Sequence, residues 1–156
     1  MSSKDVIAIL LIALGFFLQA IPMPDLLVEY SIAWVILACI IWQLISPQSV
    51  PFIAVAIIGL LLDVQKGTLL GSHVAALSLV MMIAESMQRR FQIFNLIQQT
   101  AFIFMMIMAA QLTIYLLTLV ITERQFDVVV WQPALVSALL WPWVSSLVLA
   151  RFQKIR

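Results

Sequence analysis

The sequence predicts an all-α integral membrane protein with six transmembrane helices and both termini in the cytoplasm. Three observations carry that reading. The 156 residues are 65% hydrophobic and 10% charged, with a mean hydropathy of +1.16, whereas a soluble domain carries about 25% charged residues. Six apolar runs divide the chain, separated by prolines and polar clusters. Lysine and arginine are distributed unequally over the connections between those runs. No repeat, low-complexity tract or soluble segment interrupts the pattern, so residues 1–156 read as one transmembrane domain.

The spans are expected at residues 6–21, 26–45, 50–62, 74–87, 100–121 and 133–150. A helix needs about 20 residues to cross a hydrocarbon core of about 30 Å. The first run ends at Pro22 and Pro24 without a small-residue cleavage site, so it reads as a retained span and not a signal peptide. The second ends in a turn at Ser46-Pro47-Gln48-Ser49-Val50-Pro51. The third and fourth are too short to cross alone. Either their helices extend into the polar linker between them, or that linker dips into the membrane. Residues from Phe91 to Gln99 read as a short amphipathic turn in the inner headgroup layer. Thr122 to Asp127 separates the fifth span from the sixth, which Pro133 opens.

Orientation follows from basic residues in short loops. Lys4, Arg89, Arg90, Arg151, Lys154 and Arg156 fall on one side, against Lys66 and Arg124 on the other. The richer side is the cytoplasm. Trp42 then falls at the inner interface, and Trp34 and Trp131 toward the outer one, where tryptophan commonly anchors.

Composition excludes several function classes. A net charge of +1 gives no reason to expect a nucleic-acid partner. The single cysteine, Cys39, and single histidine, His73, make neither a metal set nor an internal disulfide. Catalytic and nucleotide-binding motifs are absent. Asp63, Ser72 and His73 are triad residue types, but Ser72 adjoins the histidine and nothing supplies an oxyanion hole. The sequence therefore predicts no enzyme activity, no metal and no cofactor.

The most informative stretch runs from Gly59 to His73. It places Asp63, Lys66, Gly67, Gly71 and His73 beside hydrocarbon, where charge is expensive and marks a candidate functional site. Asp63 and Lys66 are spaced to pair on one helical face. Gly67 and Gly71 form a Gly-x-x-x-Gly, a spacing that lets membrane helices approach closely. The alternative is a solvated outer hairpin. Glu85 and Arg89 are likewise spaced to pair. Gln111, Thr113, Tyr115 and Thr118 lie inside the fifth span, where polar groups usually bond a neighbouring helix. Trp141-Pro142-Trp143 lies within the sixth span, and Pro142 should kink it.

From about Phe17 to Arg151 the chain resembles the MreD family of bacterial rod shape-determining proteins. The likeness rests on Pro22-Met23-Pro24-Asp25, Trp34, Trp42 with Pro47, Gly59-x-x-x-Asp63-x-x-x-Gly67-x-x-x-Gly71, and Leu140-Trp141-Pro142-Trp143, in that order. The resemblance implies a non-enzymatic scaffold of the cell-elongation machinery in the bacterial inner membrane. It would bind the membrane helix and juxtamembrane region of MreC and work with MreB and the peptidoglycan synthases. It also implies a fold similar to the substrate-binding subunit of energy-coupling-factor transporters. That likeness keeps a second reading open, a subunit that binds or transports a small molecule or lipid precursor, for which the interior offers few polar groups. Asp63, Gly67 and Gly71, with Gly59 and His73, are the expected structural and functional core. Trp141, Pro142, Trp143, Gln111 and Tyr115 are candidate partner contacts.

Overall fold

The computed structural model describes residues 3–21, 33–45, 50–91, 93–122 and 131–152. These residues form six helices and no strand: α1 (Ser3–Ala20), α2 (Trp34–Ile45), α3 (Phe52–Lys66), α4 (Ser72–Phe91), α5 (Leu96–Thr122) and α6 (Gln132–Phe152). The expected breaks at 22–25, 46–49 and 123–127, the start of the expected second span, and Lys154 and Arg156 lie outside the described residues.

One open alternative is resolved and one expectation changes. The short third and fourth runs do extend into the linker. α3 runs to Lys66 and α4 begins at Ser72, leaving only residues 67–71 between them. Among the described residues the amphipathic turn expected from Phe91 to Gln99 does not form. Instead α4 continues to Phe91 and α5 starts at Leu96. The reason is a reciprocal cap: the Gln98 carboxamide oxygen accepts the Asn95 amide at 3.1 Å, and Asn95 Oδ1 accepts the Leu96 amide at 3.1 Å. Such an Asn-x-x-Gln arrangement satisfies donors that would otherwise be orphaned at a helix start.

Successive helices alternate in direction. Near one end of the molecule, Gln65 of α3 donates to the Phe16 carbonyl of α1 at 3.3 Å, and Gly15 lies against the backbone of Trp34. Near the other, Gln88 of α4 reaches the Leu44 carbonyl of α2 at 3.5 Å. α6 is joined to α5 by Trp141 Nε1 donating to Gln99 Oε1 at 3.4 Å.

α2 is the core. Every residue from Val35 to Gln43 is buried, as expected of a helix apolar on all sides. Its first turn is tied to α6 by the Ala33 amide, which donates to Ser137 Oγ at 3.1 Å. α4 packs against α2, α3 and α5, while α1 rests on α2 and α6 on α5. The outer surface is also apolar: Leu10, Phe17, Phe52, Ile53, Val64, Met105, Val120, Leu139 and Trp143 are all mostly exposed. Apolar residues both inside and out suit a hydrocarbon surround, because there every backbone group must be satisfied within the helices. By length and composition one helix among the described residues, Leu96–Ile121, can cross a membrane; Val6–Ala20 and Trp34–Leu44 are apolar but shorter.

Candidate functional site

The polar residues of the α3–α4 corner converge on the Asp63 carboxylate. α3 ends with Gly67 in the left-handed region at φ 61°. The Thr68 amide donates to the Asp63 carbonyl at 3.0 Å and the Gly67 amide to the Val64 carbonyl at 3.4 Å. This pair of bonds is the Schellman pattern, which satisfies the last carbonyls of a helix and favours glycine at the left-handed position. Asp63 therefore sits one turn from the end of α3, facing the start of α4.

That start has no side-chain cap of its own. Gly71, at φ 99°, accepts the first helical bond of α4 from Ala75 at 2.9 Å. A serine, threonine or aspartate at such a position would cap the helix locally. Here the cap is delivered from α3. Asp63 Oδ1 accepts the His73 amide at 3.0 Å, and Oδ2 accepts the Gly71 amide at 2.7 Å. A carboxylate at a helix N-terminus also meets the positive end of the helix dipole. An added Cβ at Gly67 or Gly71 would meet no atom within 4 Å, so at both positions glycine answers a torsional demand.

Three side chains complete the shell. Asp63 Oδ1 accepts Ser72 Oγ at 2.8 Å and Thr68 Oγ1 at 2.9 Å, and His73 Nδ1 lies 2.7 Å from it. Thr68 Oγ1 and His73 Nδ1 are 3.2 Å apart. A carboxylate can only accept, so the short contact to His73 puts a proton on Nδ1. The Asp63 side chain is 0% exposed and that of His73 2%. A buried charge is tolerated when it is paired and fully hydrogen-bonded, and these five donors meet that condition.

The two helices also touch through backbone. A Cβ on Gly59 would lie 2.7 Å from both N and Cα of Val74. Gly59 lies one turn before Asp63, so close approach there holds the carboxylate within reach of the α4 amides.

Several expected interactions differ. Asp63 pairs with His73 and not with Lys66, because Asp63 turns into the α3–α4 corner while Lys66 is exposed. Gly67 and Gly71 lie in the turn, so their Gly-x-x-x-Gly is not a helix-packing motif; that close approach belongs to Gly59. Glu85 and Arg89, both exposed, form no ion pair among the described residues. Thr68 was not singled out by sequence reasoning, and Ser72 only as a triad residue type. Their hydroxyls sit five and nine positions after Asp63, a spacing that becomes meaningful only once Gly67 and Gly71 reverse the chain.

A family model described as rod shape-determining protein MreD matches residues 3–151, from the first residue of α1 into the last turn of α6. The chain belongs to the MreD family. The rod shape-determining protein MreD of Haemophilus influenzae is 28% identical over 137 residues, covering 86% of this chain and 83% of that protein. No solved structure matches the chain. MreD membership makes this a bacterial membrane protein with a role in determining rod shape.

The other candidates of this MreD-family chain lie on α5 and α6. Trp141 and Trp143 separate sharply. Trp141 is 2% exposed, with its ring 5.7 Å from Phe91 in an edge-on contact, while Trp143 is 74% exposed. Pro142 lies between them inside α6 and lines a 440 Å³ groove with Leu96, Ile97, Phe104, Leu135 and Leu139. No residue of the Asp63–His73 segment borders that groove. Gln111 and Tyr115 are half-buried on α5. Among the described residues no group of three or more potential metal ligands occurs.

Proposed function

We propose that this MreD-family chain is a non-catalytic scaffold of the bacterial rod complex. It crosses the inner membrane six times with both termini in the cytoplasm. It binds the membrane helix and juxtamembrane region of MreC, and through MreC helps organise MreB and the peptidoglycan synthases. The observation that carries this reading is the internal closure of the Asp63 cluster. Five donors of the chain converge on the carboxylate, which has no exposed surface. Such a group braces two helices; a substrate site would instead present unsatisfied polar groups to a cavity. Asp63, Gly59, Gly67, Gly71 and His73 thus act as the brace, and the lipid-facing helix surfaces carry the recognition.

The test is copurification of the full chain with coexpressed MreC, combined with reporter fusions at both termini. Stable capture of MreC and cytoplasmic signals at both ends are expected. Solute flux or turnover by the chain alone in reconstituted vesicles, or failure to retain MreC, would overturn the proposal.

A further inference from the structure

We infer that the face of α5 running from the α5–α6 groove to Gln111 seats one transmembrane helix of a partner protein, which presents a hydrogen-bonding side chain to Gln111 near mid-membrane. This rests on the scaffold reading above and gives it a location.

The argument begins with hydrogen-bonding demand. Leu96–Ile121 is the helix long and apolar enough to cross a bilayer, and Gln111 lies about 22 Å from its start and about 15 Å from its end. That places the carboxamide close to the middle of the hydrocarbon. An amide has two N–H donors and one carbonyl acceptor. The two nearby threonine hydroxyls are satisfied within α5: Thr113 donates to the Ala109 carbonyl and Thr118 to the Ile114 carbonyl, both at 2.8 Å. Among the described residues the Gln111 side chain makes no hydrogen bond, and the residue is half-buried. Lipid tails offer it nothing, and an unsatisfied polar group in hydrocarbon is costly.

Position supplies the rest. Gln111 lies seven residues after Phe104, two helical turns further along the same face. Phe104, Ala101 and Ile97 line the groove, whose other wall is Leu135, Ala138, Leu139 and Pro142 of α6. Groove and amide thus lie along one face of α5, apolar at its N-terminal end and polar two turns beyond Phe104. Ala101 and Ala138 keep the groove shallow enough for a helix backbone to approach, as small residues do at membrane interfaces. An amide on that face matches a polar side chain on a helix and mismatches an acyl chain.

The experiment places a photocrosslinking benzoylphenylalanine at Phe104, at Leu112, or at Ile53 on the far helix α3. The full chain is coexpressed with MreC in a native membrane. Crosslinks from 104 and 112 to the MreC membrane segment, and none from 53, are expected. Gln111→Leu should reduce the yield about three- to tenfold, the usual effect of one interhelical hydrogen bond in lipid, and Gln111→Asn should largely restore it. Size-exclusion of the Gln111→Leu protein checks that it folds. If MreC copurifies but crosslinks only from 53, or is indifferent to Gln111→Leu, this inference fails and the scaffold reading stands. Products with lipid alone or with a second copy of the chain also overturn it. If MreC does not copurify at all, the scaffold reading itself fails.

Discussion

Replacing Asp63 tests the brace most directly. In Asp63→Leu the side chain still fills space, but the Gly71 and His73 amides lose their acceptor. Both face a buried site at the start of α4, where no other described side chain accepts them. Leaving a buried donor unsatisfied costs about 1–3 kcal/mol, so the two together cost about 2–6 kcal/mol. Loss of the Thr68, Ser72 and His73 side-chain bonds to the carboxylate adds to that cost. Set against a typical total stability of about 5–15 kcal/mol, this is a large fraction. The thermal midpoint of the detergent-purified protein should fall by on the order of 10 °C. Abundance in the cell should fall with it, and rod shape should be lost. Asp63→Asn should fall about halfway. Its oxygen can serve the Oδ1 donors, but its NH₂ then faces the Gly71 amide, donor against donor. Lys66→Ala, on an exposed side chain, should change nothing measurable. An Asp63→Leu protein with unaltered midpoint and abundance would refute the argument, because the two amides would then need no cap.

Gly59→Ala should push α3 from α4, since the new methyl would lie 2.7 Å from Val74 backbone atoms that cannot rotate away; a lowered midpoint checks this, and Gly59→Ala matching wild type would mean the helices slide freely. Trp141→Ala should cost about 3–5 kcal/mol as a buried aromatic, measured by thermal unfolding, whereas Trp143→Ala should leave the midpoint unchanged. Loss of stability at both positions in equal measure would contradict the separation of the two rings.

The amount of this architecture legible in the sequence varies by element. α1 and α5 are visible as apolar runs, because their lengths and hydropathy are intrinsic properties of the segments. The α3–α4 corner is visible as a place where charge meets oil, through Asp63, His73 and the glycines. Its wiring is not. Spacing favours Lys66 as the partner of Asp63, since helical reach links positions three apart. The Schellman turn at Gly67 instead brings residues five to ten positions away onto the carboxylate. Apolar patterning says nothing about that reversal, and the second glycine's role depends on a φ that residue type permits but does not dictate. The boundary between α4 and α5 is misread for a similar reason: Asn95 and Gln98 are small polar signals inside a stretch whose amphipathic spacing dominates. Ser137 gives no local hint at all, because its partner, the Ala33 amide, is 104 residues away.

Because the cap of α4 belongs to α3, neither helix is chemically finished by itself. Newly made α3 carries a bare anion at its end, and newly made α4 begins with naked amides. Each cures the other's defect only after both have emerged. Biogenesis of this protein therefore favours release of the pair as a joined hairpin, and a ribosome stalled before Gly71 would leave behind a segment poorly suited to lateral entry into lipid.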